Sequence, residues 1–275
     1  MRLGSFPKFA LLSLAAALAL ALAGCGGTSN LALTQGNWAV SATSTAIATH
    51  IADATFIIGG NLTQTGSSVA GTMHITQSLC FDPAQAVTFT GTVKEKNVTL
   101  TSASVEGQVI EVKASGTKDS LTGTYTVTGG CGDGDQGTVT ASAVPSISGT
   151  WSGTISNIAS RTKGYGAVEA TLSIALTQAA TASEDGTFAL TGDITYTNSA
   201  CSVSGTITNG TLAGNFILIN ASTVETDDSD GAFSYTDVLL DSPTAPANMT
   251  GLYDVVVGLC SDNPNNPQTL TLTKQ

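Results

Sequence analysis

One pattern of strand-forming residues occurs twice in this chain of 275 residues, and the repeat limits the folds open to it. Four short segments recur in the same order, offset by 113 to 128 residues. The pairs are Gly36-Asn37-Trp38 with Gly149-Thr150-Trp151, Asn61-Leu62-Thr63-Gln64 with Ala175-Leu176-Thr177-Gln178, Thr90-Gly91-Thr92-Val93 with Ser204-Gly205-Thr206-Ile207, and Gly123-Thr124-Tyr125 with Gly251-Leu252-Tyr253. Because tryptophan and tyrosine keep their places in both copies, the repeat predicts two domains of one fold.

The domain boundary is predicted where the two copies meet. The segment Ala143-Val144-Pro145-Ser146 lies between them and is predicted to be a short linker, since proline cannot pair inside a sheet. The first domain is therefore expected at 34–144 and the second at 146–275.

The composition favours β-structure in both copies. Thr, Gly and Ser are abundant, Glu and Lys are few, and no segment shows an apolar period of 3.6 residues. Alternation with a period of two is clear in places, as where Leu172, Ile174 and Leu176 share one face of a predicted strand. Each copy divides into about eight short strands, with Gly214–Ile219 predicted as one of them. The predicted fold class is all-β.

Two all-β architectures fit this number of strands. Trp38 and Trp151 lie in the first predicted strand of each copy, before both cysteines of that copy. In an immunoglobulin-like sandwich the core tryptophan lies between the cysteines. A Gly-x-Trp motif in the first strand, followed by a meander, instead resembles small β-barrels of the lipocalin and avidin type. The resemblance implies two tandem antiparallel meander β-barrels, with two immunoglobulin-like β-sandwiches as the alternative.

A closed sheet of eight strands has room for one small ligand. If the apolar strand faces point inwards, they line a lumen in each barrel. The predicted lumen residues are Phe89, Val93, Tyr125 and Val127 in the first copy and Leu172, Ile174, Leu176, Tyr253 and Val255 in the second. A filled structural core is the alternative, because apolar side chains line both.

Four cysteines are divided evenly between the copies. Cys80 and Cys131 lie in the first copy, and Cys201 and Cys260 lie in the second. Of the three pairings that four cysteines allow, the repeat favours the disulfides Cys80–Cys131 and Cys201–Cys260. Such bonds persist outside the reducing cytoplasm. A metal site is disfavoured because the sequence has no CxxC pair, and we expect neither a metal nor a cofactor.

The fifth cysteine ends an N-terminal segment of different character. Arg2 and Lys8 supply a basic head, and an apolar run from Phe9 to Ala23 leads to Cys25. This is the layout of a secretory signal peptide. The segment Leu22-Ala23-Gly24-Cys25 resembles the lipobox of bacterial lipoproteins, whose cysteine becomes the acylated N-terminus of the mature protein.

The lipobox resemblance implies a location as well as a modification. It implies a signal peptide at 1–24 and a lipidated tether at 25–33, held to the membrane through acylated Cys25. In this family an aspartate after the cysteine marks retention in the inner membrane. Gly26 stands there instead, so we expect the outer membrane of the bacterial cell envelope. An uncleaved transmembrane helix is the alternative, although its apolar core falls short of the about 20 residues that a span needs.

The charge of the chain excludes one class of partner. Loss of residues 1–24 would remove Arg2 and Lys8 and no acid, which takes the formal net charge from −11 to −13. Proteins that bind nucleic acid neutralise phosphates with Lys and Arg. We therefore expect no nucleic-acid partner and no electrostatic docking on anionic lipid.

Catalytic motifs are scarce in this sequence. It lacks the G-x-S-x-G, H-E-x-x-H and Walker patterns, and a Ser–His–Asp hydrolase would have to use His50 or His74. Two acidic stretches, Asp133-Gly134-Asp135 and Asp227–Gly231, contain closely spaced carboxylates of the kind that bind calcium. Neither has the full pattern of a calcium loop, and we interpret both as solvated hairpin turns, the second within a predicted loop.

These observations favour one function and leave two alternatives. The sequence predicts a lipid-anchored, non-catalytic cell-envelope protein that binds a small apolar ligand or an envelope partner through its barrels. A structural or assembly lipoprotein with solid cores is the second hypothesis. A hydrolase that uses His74 is the third.

Overall fold

The computed structural model describes residues 30–45, 56–78, 80–82, 85–155, 169–199, 202–225, 228–257 and 268–275. Within these ranges the chain forms β-strands joined by turns and loops, and none of the described residues is in a helix. In this part of the chain no helix could therefore cross a membrane. The predicted signal peptide 1–24, Cys25, His50, Cys201 and Cys260 lie outside the described residues.

The first eight strands form a closed antiparallel barrel. They are β1 (Gly36–Ser44), β2 (Phe56–Thr65), β3 (Ser68–Gln77), β4 (Ala86–Lys94), β5 (Asn97–Ser102), β6 (Val109–Gly116), β7 (Ser120–Thr128) and β8 (Gln136–Ala143). Each strand pairs with the next, and β8 pairs with β1, for example Ala141 with Val40, to close the sheet.

The next eight strands form a second closed barrel of the same kind. They are β9 (Gly149–Ile155), β10 (Ala170–Gln178), β11 (Phe188–Thr197), β12 (Ser202–Ala213), β13 (Phe216–Glu225), β14 (Asp228–Leu240), β15 (Asn248–Val257) and β16 (Gln268–Lys274). The pairing of β16 with β9 closes this sheet. The prediction of two tandem meander barrels is confirmed, and the sandwich alternative is wrong.

The sequence repeat corresponds to the structural repeat strand by strand. Trp38 and Trp151 lie in the first strand of each barrel and are completely buried. Tyr125 and Tyr253 lie in the seventh strand of each barrel and are buried as well. The matched segments thus mark equivalent positions in two copies of one fold.

Alternation of apolar and polar residues explains why these segments form barrel strands. In β4, Val87, Phe89 and Val93 are buried, whereas the threonines between them are exposed. A strand with one apolar face buries that face when the sheet closes, and closure leaves no unpaired edge. Each barrel consequently has its own apolar core.

Three local features differ from the sequence-based expectation. Gly214 does not begin a strand but lies with Asn215 in the turn between β12 and β13, at a φ of +61° that suits glycine. Asp228–Gly231, placed in a predicted loop, instead begin strand β14, and Asp228 pairs with Glu225 of β13. Leu33, expected in the tether, is buried against the first barrel.

Candidate functional site

The predicted lumen residues lie inside the two barrels. In the first barrel Phe89, Val93, Tyr125 and Val127 are at most 2 % exposed. In the second barrel Leu172, Ile174, Leu176 and Tyr253 are at most 3 % exposed. Val255 belongs to β15, but its side chain lies outside the described part of the structure.

The interior of the first barrel is nearly filled. Side chains from all eight strands, Met73, Phe89 and Leu121 among them, surround an apolar cavity of about 30 Å³. Pockets for small molecules usually measure roughly 300–1,000 Å³, whereas about 10–15 Å³ is enough for one water molecule. The cavity volume therefore favours a structural core over a ligand lumen in this barrel.

In each barrel, the buried tryptophan of the first strand forms a hydrogen bond to the segment that precedes that strand. Trp38 Nε1–H donates a hydrogen bond to the carbonyl oxygen of Thr34 at 2.8 Å. In the second barrel Trp151 Nε1–H donates in the same way to Ile147 at 2.9 Å. A buried indole N–H needs a hydrogen-bond acceptor, and both indoles have one.

Two glutamines from the repeat complete this arrangement. The backbone N–H of Leu33 donates to Gln64 Oε1 at 2.7 Å, and that of Ile147 donates to Gln178 Oε1 at 3.0 Å. Leu33 and Ile147 are both buried in the core of their barrel. Of the predicted linker, Val144 also packs in the core of the second barrel, whereas Pro145 and Ser146 are exposed.

A buried carboxylate organises the opposite end of the first barrel. Tyr125 donates its hydroxyl to Asp135 Oδ2 at 2.9 Å, and Ser44 donates to Asp135 Oδ1 at 2.6 Å. Burial and the hydrogen-bonded carboxylate of Asp135 raise the pKa of Tyr125 well above its usual value. The phenol therefore stays protonated and acts as a donor at neutral pH.

The same end of the barrel carries the disulfide Cys80–Cys131, which confirms the pairing predicted for the first copy. Gln108, 1 % exposed, connects the two bonded segments. Its amide donates to the carbonyl oxygen of Cys80 at 3.0 Å and accepts from the N–H of Gly132 at 2.7 Å. The predicted bond Cys201–Cys260 lies outside the described residues.

The acidic turn after Cys131 uses its carboxylates for internal hydrogen bonds. Asp133 accepts from the backbone N–H of Gly129 at 2.7 Å, and Asp135 accepts from Tyr125 and Ser44. Over the described ranges, His, Cys, Asp and Glu form no group of three or more that could hold a metal ion. The geometry is that of a hairpin turn.

His74 meets a carboxylate of the second barrel. Its Nε2 lies 3.2 Å from Asp185 Oδ2, in the loop between β10 and β11. Asp185 Oδ1 also accepts from Ser183 Oγ at 2.6 Å and from the N–H of Thr187 at 3.0 Å. In a Ser–His–Asp triad the imidazole must contact the serine, but here the carboxylate lies between Ser183 and His74.

The ionisation of Asp185 follows from these contacts. Burial opposes the charged form, but the hydrogen bonds from Ser183 and Thr187, together with the charge of His74, lower the pKa of Asp185 to about 2. The group is therefore a fixed anion at the junction of the two barrels.

A second junction joins the barrels through the backbone. Asn37 Nδ2 donates to the carbonyl oxygen of Gly214 at 2.8 Å, and the N–H of Gly214 donates to Asn37 Oδ1 at 2.8 Å. A Cβ on Gly59 would overlap the backbone of Gly214, and Ala39 packs against the core of the second barrel. We call Asn37, Ala39, Gly59 and Gly214 the seam.

The seam was not predicted from the sequence. Asn37 is only the middle residue of the first Gly-x-Trp motif there, and its partner is a backbone group 177 positions away. The pair Gly59-Gly60 inside a strand was the available signal, since glycine in a strand often marks close approach of another backbone.

An open cleft lies next to the segment that connects the barrels. It measures about 350 Å³, and its walls include Thr34, Asp119, Val144, Pro145 and Thr244. This volume falls in the range of binding pockets. Comparison of the chain with models of protein families, with curated proteins and with solved structures finds no match, so no relative indicates an occupant.

Proposed function

We propose that this chain is a lipid-anchored, non-catalytic protein of the bacterial outer membrane whose two barrels form one rigid scaffold for an envelope partner. The seam carries the proposal. Asn37 and Gly214 exchange two buried hydrogen bonds, and a rotation of one barrel against the other would leave both groups unpaired. A rigid pair of barrels keeps the shape of the cleft at Thr34, Pro145 and Thr244 constant.

The filled interior of the first barrel supports binding at the outside. An apolar ligand would have to displace packed side chains, because the free volume is about 30 Å³. We expect no saturable uptake of the apolar dye N-phenyl-1-naphthylamine by the first barrel. Phe89→Ala is the positive control, since it enlarges this cavity and should allow benzene to bind. Saturable dye uptake that is sensitive to Met73→Trp would contradict the scaffold proposal.

The proposed lipid anchor is inferred from the lipobox-like segment that ends in Cys25. Cys25→Ser removes the thiol that would carry the lipid, so the protein should move from the membrane fraction to the soluble fraction. Thr28→Ala, three residues further on, is the matched control and should leave the membrane fraction unchanged. Membrane attachment that survives Cys25→Ser would favour an uncleaved helix over an acyl anchor.

Binding of a partner at the cleft can be tested directly. A photo-crosslinking amino acid at Thr244, in the cleft wall, should form a defined adduct with an envelope protein in intact cells. The same amino acid at Thr171, which is exposed on the outer face of β10, is the control position. Loss of the Thr244 adduct in Asn37→Ala would link partner binding to the seam, and equal adducts at both positions would contradict a specific site.

The absence of catalysis is also part of the proposal. Asp185 separates Ser183 from His74, so the imidazole is not placed to take a proton from that serine. On a panel of ester and amide substrates, the wild type and His74→Ala should therefore give the same background rate. A rate that falls with His74→Ala would support the hydrolase hypothesis.

A further inference from the structure

One end of the second barrel is lined by hydroxyl groups. The inward-facing residues there are Tyr196, Ser202, Thr223, Ser234, Thr236 and Tyr253, each at most 6 % exposed. The strand register makes them neighbours. Ser234 lies opposite Ala221, two residues from Thr223 on the same face of β13, and Tyr253 lies opposite Thr236. We call these six residues the hydroxyl layer.

Part of the hydroxyl layer lacks hydrogen bonds. Among the described residues, the hydroxyl oxygens of Ser202 and Thr223 are buried and have no hydrogen-bond partner. The hydroxyl of Ser234, on the next strand, interacts with the phenols of Tyr196 and Tyr253. Buried polar groups in folded proteins are almost always paired. Two unpaired hydroxyls on the adjacent strands β12 and β13 therefore indicate a further hydrogen-bonding partner.

The first barrel provides an internal comparison. At its equivalent end the phenol of Tyr125 and the hydroxyl of Ser44 both donate to Asp135, and Ser102 Oγ accepts from the N–H of Ile110 at 2.8 Å. In the second barrel the phenol that corresponds to Tyr125 is that of Tyr253, and it meets another phenol, Tyr196, at 3.0 Å. Unpaired hydroxyls are thus a property of the second copy and not of the fold.

The side chains of the layer indicate what kind of partner fits. On β12 to β14 the inward residues here are small, Gly205 and Ala221 among them, whereas the opposite end of these strands is filled by Leu212, Ile217 and Leu240. All six members of the layer are uncharged at neutral pH, and a buried ion would find no counter-charge among them. A small neutral molecule with hydroxyl groups can both donate to and accept from such side chains.

We propose that the hydroxyl layer of the second barrel is a binding site for a small uncharged molecule that carries hydroxyl groups. Water and a polyol of the size of glycerol could both donate hydrogen bonds to these hydroxyl groups and accept hydrogen bonds from them. This site is independent of the seam and of the outer cleft, so it can fail without affecting the proposed scaffold function.

Two substitutions at Thr223 test whether the layer is occupied. Thr223→Val keeps the shape of the side chain and removes the hydroxyl, whereas Thr223→Ser keeps the hydroxyl and removes a methyl group. If a bound molecule pairs with the hydroxyl, Thr223→Val lowers the midpoint of thermal unfolding more than Thr223→Ser does. Ser222→Ala, on the outward face next to Thr223, is the control and should leave the midpoint unchanged.

The opposite order overturns the proposal. A hydroxyl without any partner is better replaced by a methyl group, so Thr223→Val would then unfold at the wild-type temperature or above it. Ser234→Ala repeats the test on the neighbouring strand and covers the case in which Thr223→Val does not fold.

Calorimetry with glycerol distinguishes a bound polyol from ordered water. Saturable heat in the wild type that is lost in the double variant Thr223→Val, Ser234→Ala assigns the site to a polyol. A lower unfolding midpoint of Thr223→Val without any glycerol heat assigns it to ordered water. Glycerol heat that is unchanged in the double variant contradicts the site.

Discussion

Asn37 shows how one side chain can join two domains that are far apart in the sequence. A primary amide offers both a donor and an acceptor, so Asn37 satisfies the N–H and the carbonyl of Gly214 as a neighbouring β-strand would. The side chain is 5 % exposed. Water is therefore poorly placed to replace it, and the identity of this one residue matters.

Replacement of Asn37 by alanine should lower the free energy of unfolding by about 2–4 kcal/mol, because it leaves two buried backbone groups unpaired. Urea denaturation followed by tryptophan fluorescence measures the change. Asn97→Ala, at the exposed start of β5, is the matched control and should change the free energy of unfolding by less than about 0.5 kcal/mol. Equal effects of the two substitutions would mean that the seam contributes nothing to stability.

Asp185 predicts how stability depends on acid. Its pKa is lowered from 3.8 to about 2 in the folded chain, so the folded state favours the ionised form. The stabilisation is fully present above pH 3.8 and is lost as the pH falls through about 2. Asp185→Asn should therefore flatten the pH dependence of urea denaturation in this window. An unchanged acid profile would show that the carboxylate has no such role.

At the scale of strands and turns, alternation was enough to predict most of the architecture. A strand such as β4 carries its apolar face in its sequence, and closure of the barrel follows from burying that face. The turn at Gly214 was not predictable in this way. The sequence signal there is the dipeptide Gly214-Asn215, which is typical of two-residue hairpin turns and is independent of apolar alternation.

The candidate site was predictable only in part for a related reason. The buried positions of Phe89 and Leu172 follow from the alternation of apolar and polar residues. The volume of the cavity inside the first barrel does not follow from alternation, because it depends on how the side chains pack. Contacts between distant elements, such as the hydrogen bond of Leu33 to Gln64 and the contact of His74 with Asp185, also leave no local pattern in the sequence.

The disulfide joins two segments of the first barrel and should stabilise it. Cys80–Cys131 closes a loop with a sequence separation of 51, which should contribute about 4 kcal/mol by restricting the unfolded chain. Replacing both cysteines by alanine should lower the free energy of unfolding by about this amount. Gln108 binds backbone atoms on both sides of the bond and should preserve the local fold. A double variant that is as stable as the wild type would contradict this contribution of the disulfide.

In the molecule as a whole, the described residues from Leu31 to Gln275 belong to a single compact unit. Two autonomous barrels on a flexible linker would present two independent surfaces. The packed segment around Ile147, the pair His74–Asp185 and the seam instead join them. We therefore propose that a partner binds one combined outer surface.

Amide hydrogen exchange at Gly214, followed by NMR, shows whether the two barrels move against each other. Gly66 is the reference, because it occupies an exposed turn between β2 and β3 at the same φ of +61°. If the barrels are locked, the N–H of Gly214 stays bound to Asn37 and exchanges orders of magnitude more slowly than that of Gly66, as slowly as the barrel strands. Exchange of Gly214 at the rate of Gly66 would show that the seam opens freely and would contradict the rigid two-barrel scaffold.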